Sequence, residues 1–139
     1  MSVQRATVVH ISILASPESV ATFLADMKNW ETWAPWVRSV TRRSDRDWRL
    51  ETTDGPMAVR FAEPNSFGIL DHRVTLASGV SVFNAMRVTP NGSGSELTMV
   101  VLQSPEMSDD QFEQDVQAVT DDFARLKSAA EDYSARSDS

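Results

Sequence analysis

Apolar and polar residues alternate from Val3 to Leu14, with Val9, Ile11 and Ile13 on one side and His10 and Ser12 on the other. A period of two predicts a half-buried first strand. Ser16-Pro17-Glu18 comes next. A capping serine, a proline at the first helical position and an early carboxylate together mark a helix start. Val20, Phe23, Leu24 and Met27 then continue at helical spacing. Trp30, Trp33 and Trp36 stand three apart within Asn29 to Val37. That spacing predicts a second short helix, whose regularity Pro35 limits.

Between Val37 and Gln103 the helical period disappears, and short alternating runs are separated by Gly, Pro, Asn and Asp clusters. This is the pattern of consecutive hairpins, six strands in all. Asp54-Gly55 predicts a two-residue loop that pairs Thr52 with Met57, Leu50 with Val59 and Trp48 with Phe61. Glu63-Pro64-Asn65-Ser66 predicts the next turn and sets Leu70 on the face of Val59. Ala77-Ser78-Gly79 predicts a three-residue loop, pairing Leu76 with Val80, Val74 with Val82 and His72 with Asn84. A longer polar loop, Pro90 to Ser95, places Leu97, Met99 and Val101 opposite Val88, Met86 and Asn84.

Ser108 and Gln111 stand at capping-box spacing, and Met107 is positioned to staple onto Phe112. Phe112, Val116, Val119, Phe123, Leu126, Ala130 and Tyr133 then recur at steps of four and three. They predict an amphipathic helix of about six or seven turns. The expected architecture is therefore α+β: a seven-stranded curved antiparallel sheet, in the order β-α-α-β6-α, wrapped around a long C-terminal helix. One domain is expected over residues 1–133, with 134–139 as a flexible tail.

Composition narrows the function classes. A chain of 139 residues with 41% hydrophobic content buries a core without crosslinks. The absence of cysteine removes disulfides, thiol nucleophiles and zinc-thiolate sites. A formal charge of -7 argues against a nucleic-acid partner. Arg42, Arg43 and Arg46 do cluster, but Asp45 and Asp47 interleave them. The start lacks a continuous apolar segment of the signal-peptide kind, and no window approaches the roughly 18 apolar residues of a membrane span. A cytoplasmic protein without membrane insertion is expected. Oligomeric state, monomer or homodimer, stays open.

Ala15-Ser16-Pro17-Glu18 opening the first helix, the tryptophan segment Asn29 to Val37 and Met107-Ser108-Asp109-Asp110 opening the last resemble the START-like superfamily, also called SRPBCC. Its members include the birch pollen allergen proteins and polyketide cyclases. The resemblance spans nearly the whole chain. It implies a helix-grip fold with a tunnel between concave sheet and long helix, used for lipids, polyketides or other apolar molecules. No cofactor is expected.

His72 and Asn84 are the polar pair on an inner face otherwise made of Leu70, Val74, Leu76, Val80, Val82 and Met86. Burying them without partners costs roughly 1 to 3 kcal/mol each. They therefore either satisfy one another or meet a ligand. As an enzyme, the protein would use His72 as acid or base, with Asn84 as a donor to a developing oxyanion. Asp71 and Arg73 alternate to the outer face, where a surface ion pair is expected.

Met57, Met86, Met99, Val59 and Leu70 line the same inner face, met from the helix side by Phe112, Val116 and Val119. Trp30, Trp33 and Trp36 either roof the pocket mouth or anchor the short helices to the sheet, with Trp33 and Trp36 taken as the ligand-binding pair. No metal site is expected, because His10 and His72 fall on opposite faces of different strands. The acidic positions Asp109, Asp110, Glu113, Asp121 and Asp122 are either a solvated face or a docking surface for a protein partner, as in a chaperone-activator adaptor. The leading expectation is a carrier of a small hydrophobic molecule. A cyclase- or dehydratase-like enzyme is the alternative.

Overall fold

The computed structural model describes residues 3–137. Its elements run β1 (Ala6–Ile13), α1 (Pro17–Ala25), a 3-10 turn (Met27–Thr32), β2 (Val37–Arg42), β3 (Asp47–Thr52), β4 (Gly55–Phe61), β5 (His72–Leu76), β6 (Ser81–Asn91), β7 (Gly94–Leu102) and α2 (Asp109–Ser137). All strands form one antiparallel sheet in the order β1-β7-β6-β5-β4-β3-β2. This is the α+β architecture expected from the residue pattern: a curved sheet against a long C-terminal helix.

Local chemistry explains where the helices begin. Ser16 caps α1 by accepting from the Ser19 amide at 3.1 Å, with Pro17 at the first helical position. The capping box of α2 closes both ways: the Ser108 amide donates to Gln111 Oε1 at 2.9 Å and the Gln111 amide donates to Ser108 Oγ at 3.1 Å. The tryptophan helix expected over Asn29 to Val37 is instead a 3-10 turn over Met27–Thr32, started by Asp26, whose carboxylate accepts from the Lys28 amide. A three-residue spacing is the 3-10 period. It ends at Trp33, and Trp36 lies in a separate bend before β2.

Turn chemistry corrects three hairpins. The β3–β4 loop is Thr53 and Asp54, so Leu50 faces Met57 and Trp48 faces Val59, two residues from the expected register. An Asp-Gly loop of the primed type needs positive φ at both central residues. Only glycines have positive φ among the described residues, and Gly55, at 102°, follows the loop. Because the slip is even, each side chain keeps its face.

The turn expected at 63–66 is a loop over 62–71, with β4 and β5 pairing Phe61 with His72 and Val59 with Val74. Asn65 organises it: its Oδ1 accepts from the Phe67 and Ile69 amides, and its Nδ2 donates to the Glu63 and Ile69 carbonyls. Leu70 is buried but does not face Val59. The polar loop before β7 is also tighter than expected, because Asn91 pairs with Gly94. The β5–β6 register, Val74 with Val82 and His72 with Asn84, is as the sequence pattern predicts. So is Met86 with Met99 across β6–β7.

The second half of α2 packs with α1 and β1 around Ile13, Val20, Phe23, Leu24, Phe123, Leu126 and Ala130, all buried. The tail expected from residue 134 is helical through Ser137, with Ser134 buried on the same stripe as Ala130. Met1, Ser2, Asp138 and Ser139 lie outside the described residues. Among the described residues no helix is long and apolar enough to cross a membrane.

Candidate functional site

The first half of α2 does not close against the sheet beneath it. Between them lies a cavity of about 570 Å³, within the size range of small-molecule sites. Its floor comes from alternate residues of the central strands: Leu50 on β3, Met57 and Val59 on β4, His72 and Val74 on β5, and Met86 with Met99 beyond. Trp30, Trp33 and Trp36 form one wall, and Asp115, Ala118, Val119 and Asp122 face it from α2. These four recur at helical steps, so one stripe of α2 is turned to the opening.

His72 is 4% exposed. Its Nδ1 lies 2.9 Å from the Leu70 carbonyl oxygen, which only accepts, so the proton sits on Nδ1. Nε2 is left as an acceptor. The Asn84 amide nitrogen is 3.4 Å from it, a long and weak donor contact. The Phe61 ring at 5.1 Å and the Trp30 ring at 5.8 Å enclose the imidazole. Burial pushes its pKa down, against smaller upward effects of the Leu70 carbonyl and Asp71. The imidazole is therefore neutral at physiological pH, with Nε2 unprotonated on the cavity wall.

The tryptophan wall is tied to the helix. Trp36 Nε1 donates to Asp122 Oδ2 at 3.1 Å, Arg125 pairs with Asp122 at 2.6 Å, and Arg125 Nε donates to the Trp33 carbonyl at 3.2 Å. Trp30 and Trp33 lie with centroids 4.9 Å apart, and the Trp30 indole donates to the Leu24 carbonyl. The tryptophans thus both anchor the segment and line the opening.

Of the residues singled out from sequence, His72, Asn84, Met57, Met86, Met99, Val59, Trp33, Trp36 and Val119 line this cavity. Leu70 does not: it faces a smaller hollow of about 180 Å³ between α1 and the 62–71 loop. Phe112 is packed beneath the guanidinium of Arg5, 4.9 Å from its ring, and Val116 lies along the helix edge outside the lining. Trp30, Leu50, Val74 and the carboxylates Asp54, Asp115 and Asp122 are also in the lining, although the sequence pattern put Val74 on the inner face and Asp122 on an acidic helix face without assigning either to the site. Leu50 and Val74 share the inner-face parity of chosen strand neighbours, whereas Asp54 sits in a hairpin loop and Asp115 and Asp122 sit where helical periodicity assigns solvent.

Outside the cavity, Asp71 pairs with Arg87 at 2.9 Å and not with Arg73, whose guanidinium stacks on Phe83. The acidic face of α2 is partly consumed internally, since Arg5 meets Asp109 and Glu113 while Asp122 is bound to Trp36 and Arg125.

Solved structures share this fold at low identity. An uncharacterised protein of Bacillus thuringiensis superposes with a TM-score of 0.73 at 16% identity, over 91% of this chain and 98% of its own. DynU16, from the dynemicin biosynthetic locus, gives 0.73 at 17% identity over 91% of this chain, which spans 47% of that protein. Ara h 8.0201 gives 0.68 at 11% identity, covering 95% and 98% of the two chains. No curated protein matches the sequence. The family model described as "Polyketide cyclase / dehydrase and lipid transport" matches residues 4–131. The chain thus belongs to the polyketide cyclase/dehydrase and lipid transport family, within the START-like superfamily.

Proposed function

We propose that the protein binds and carries a small, mostly apolar molecule in the cavity between sheet and α2. The observation that carries this reading is the cavity itself: about 570 Å³, walled by tryptophan, methionine and valine, with one weakly paired polar couple, His72 and Asn84, on the floor. Such a pattern suits a ligand whose body is sequestered from water while one hydroxyl donates to His72 Nε2. DynU16, by its description, comes from a biosynthetic locus, and the family description names lipid transport; both agree with an apolar ligand.

The test is binding of N-phenyl-1-naphthylamine, a neutral apolar dye that brightens out of water. The wild type is expected to bind it saturably. Ala118→Trp, a bulky replacement on an exposed helix position lining the opening, should abolish binding with circular dichroism unchanged. Equal binding by both would remove the cavity from consideration.

A cyclase- or dehydratase-like reaction is the second reading, favoured by the unprotonated Nε2 on the cavity wall. His72 would accept a proton from substrate, with the Asn84 amide stabilising developing oxygen charge. Native mass spectrometry of the loaded protein, followed by chromatography of the released molecule, separates the two: a carried molecule keeps both mass and retention, a cyclised isomer keeps its mass but changes retention, and a dehydrated product leaves lighter by one water.

A further inference from the structure

The charged side chains that line the cavity have one sign. Asp54, Asp115 and Asp122 line it, and among the described residues of the lining there is no lysine or arginine. His72 is neutral and adds no positive charge. Asp122 is already paired with Arg125. Among the described residues, Asp54 and Asp115 have no ion pair, and the Asp115 side chain has no hydrogen-bond partner either. Asp115 is exposed at the mouth, yet neighbouring atoms desolvate its carboxyl enough to push its pKa up. An anion over an apolar opening with no partner is poorly stabilised until a cation arrives.

Two further observations bear on what arrives. Trp33 and Trp36 share the wall with these carboxylates, and Trp36 donates its indole N–H to Asp122, which leaves its ring available to the cavity and enriches it in electrons. Indole rings are the best aromatic partners for ammonium groups. Arg73, whose guanidinium lies 5.7 Å from the ring of the mouth residue Phe83, is itself outside the lining.

Resting on the carrier reading above, we infer that the cavity selects a cationic amphiphile: an apolar body lies over Met57, Val59 and Met86, and an amine sits at the mouth by Asp115 and the tryptophan wall. Carboxylate-bearing amphiphiles such as fatty acids meet like charge there and are rejected. The -7 net charge of the chain acts in the same direction at longer range.

The experiment is displacement of N-phenyl-1-naphthylamine at pH 7 by dodecylamine, 1-dodecanol and laurate, all below their micelle concentrations. These three share a chain and differ in head charge. Dodecylamine is expected to displace the dye at about a tenth of the laurate concentration, the sum of one weak attraction and one weak repulsion. Asp115→Asn should shrink that gap several-fold and change dodecanol binding less than that of either charged probe, with Asp54→Asn adding a smaller change. Laurate matching dodecylamine, or a gap untouched by D115N and D54N together, overturns the inference while dye and dodecanol binding leave the carrier reading standing. Failure of the dye itself to bind overturns both.

Discussion

A single proton on His72 decides what the cavity floor offers. With Nδ1 committed to the Leu70 carbonyl, Nε2 is an acceptor, and protonation would place an unpaired charge between the rings of Trp30 and Phe61. The unfolded chain has no such penalty, so its histidine binds a proton more readily. Stability is then fully present above the unfolded pKa of about 6.5 and falls as pH drops through that value towards the lowered folded one. One proton contributes at most about 1.4 kcal/mol per pH unit. Urea midpoints at pH 7.5 and 5.5 should therefore fall further in the wild type than in His72→Gln, by the equivalent of about 1 kcal/mol. Glu96, held down at about 2 by His10 and Ser12, stays ionised across that window and adds nothing. Parallel losses in both proteins would mean that His72 is not the group being titrated.

At the scale of elements, side-chain parity was legible in the sequence and turn geometry was not. Alternation places Val59, His72, Val74 and Met86 on one face wherever the hairpins close, because a slip of two or four residues preserves it. Capping boxes and proline positions read equally well, since they depend on neighbours within one turn. What escaped was the 62–71 loop, whose shape comes from four hydrogen bonds to the Asn65 side chain and from contact with β6, a partner distant in sequence. The carboxylates at the cavity escaped for a related reason: whether an exposed helical aspartate overlooks solvent or an unfilled opening depends on how far α2 stands off the sheet.

Gly68 shows what holds that loop. At φ 74° its carbonyl accepts from the Val88 amide at 2.9 Å, and a Cβ there would run into the Val88 carbonyl oxygen. Gly68→Ala should cost roughly 1 to 3 kcal/mol through positive φ and lost pairing, read as a lower urea midpoint. A value within error of wild type would show that the loop is free to move away from β6.

The whole molecule divides unevenly along α2. Its second half buries Phe123, Leu126 and Ala130 against α1 and β1, while its first half carries Asp115, Ala118 and Val119 exposed or half-buried over the cavity. Apolar contact is what resists local opening, so one continuous helix should open in two steps, the cavity half first. Amide hydrogen exchange tests this directly. Without ligand, amides in 113–122 are expected to exchange about tenfold faster than those in 123–134, corresponding to about 1.4 kcal/mol. Saturation with N-phenyl-1-naphthylamine should slow the first segment and leave the second unchanged, because a bound body supplies the packing that the sheet does not. Uniform protection along α2, unaltered by the dye, would mean that the helix is held by its own backbone and caps, and that loading the cavity needs no movement of its roof.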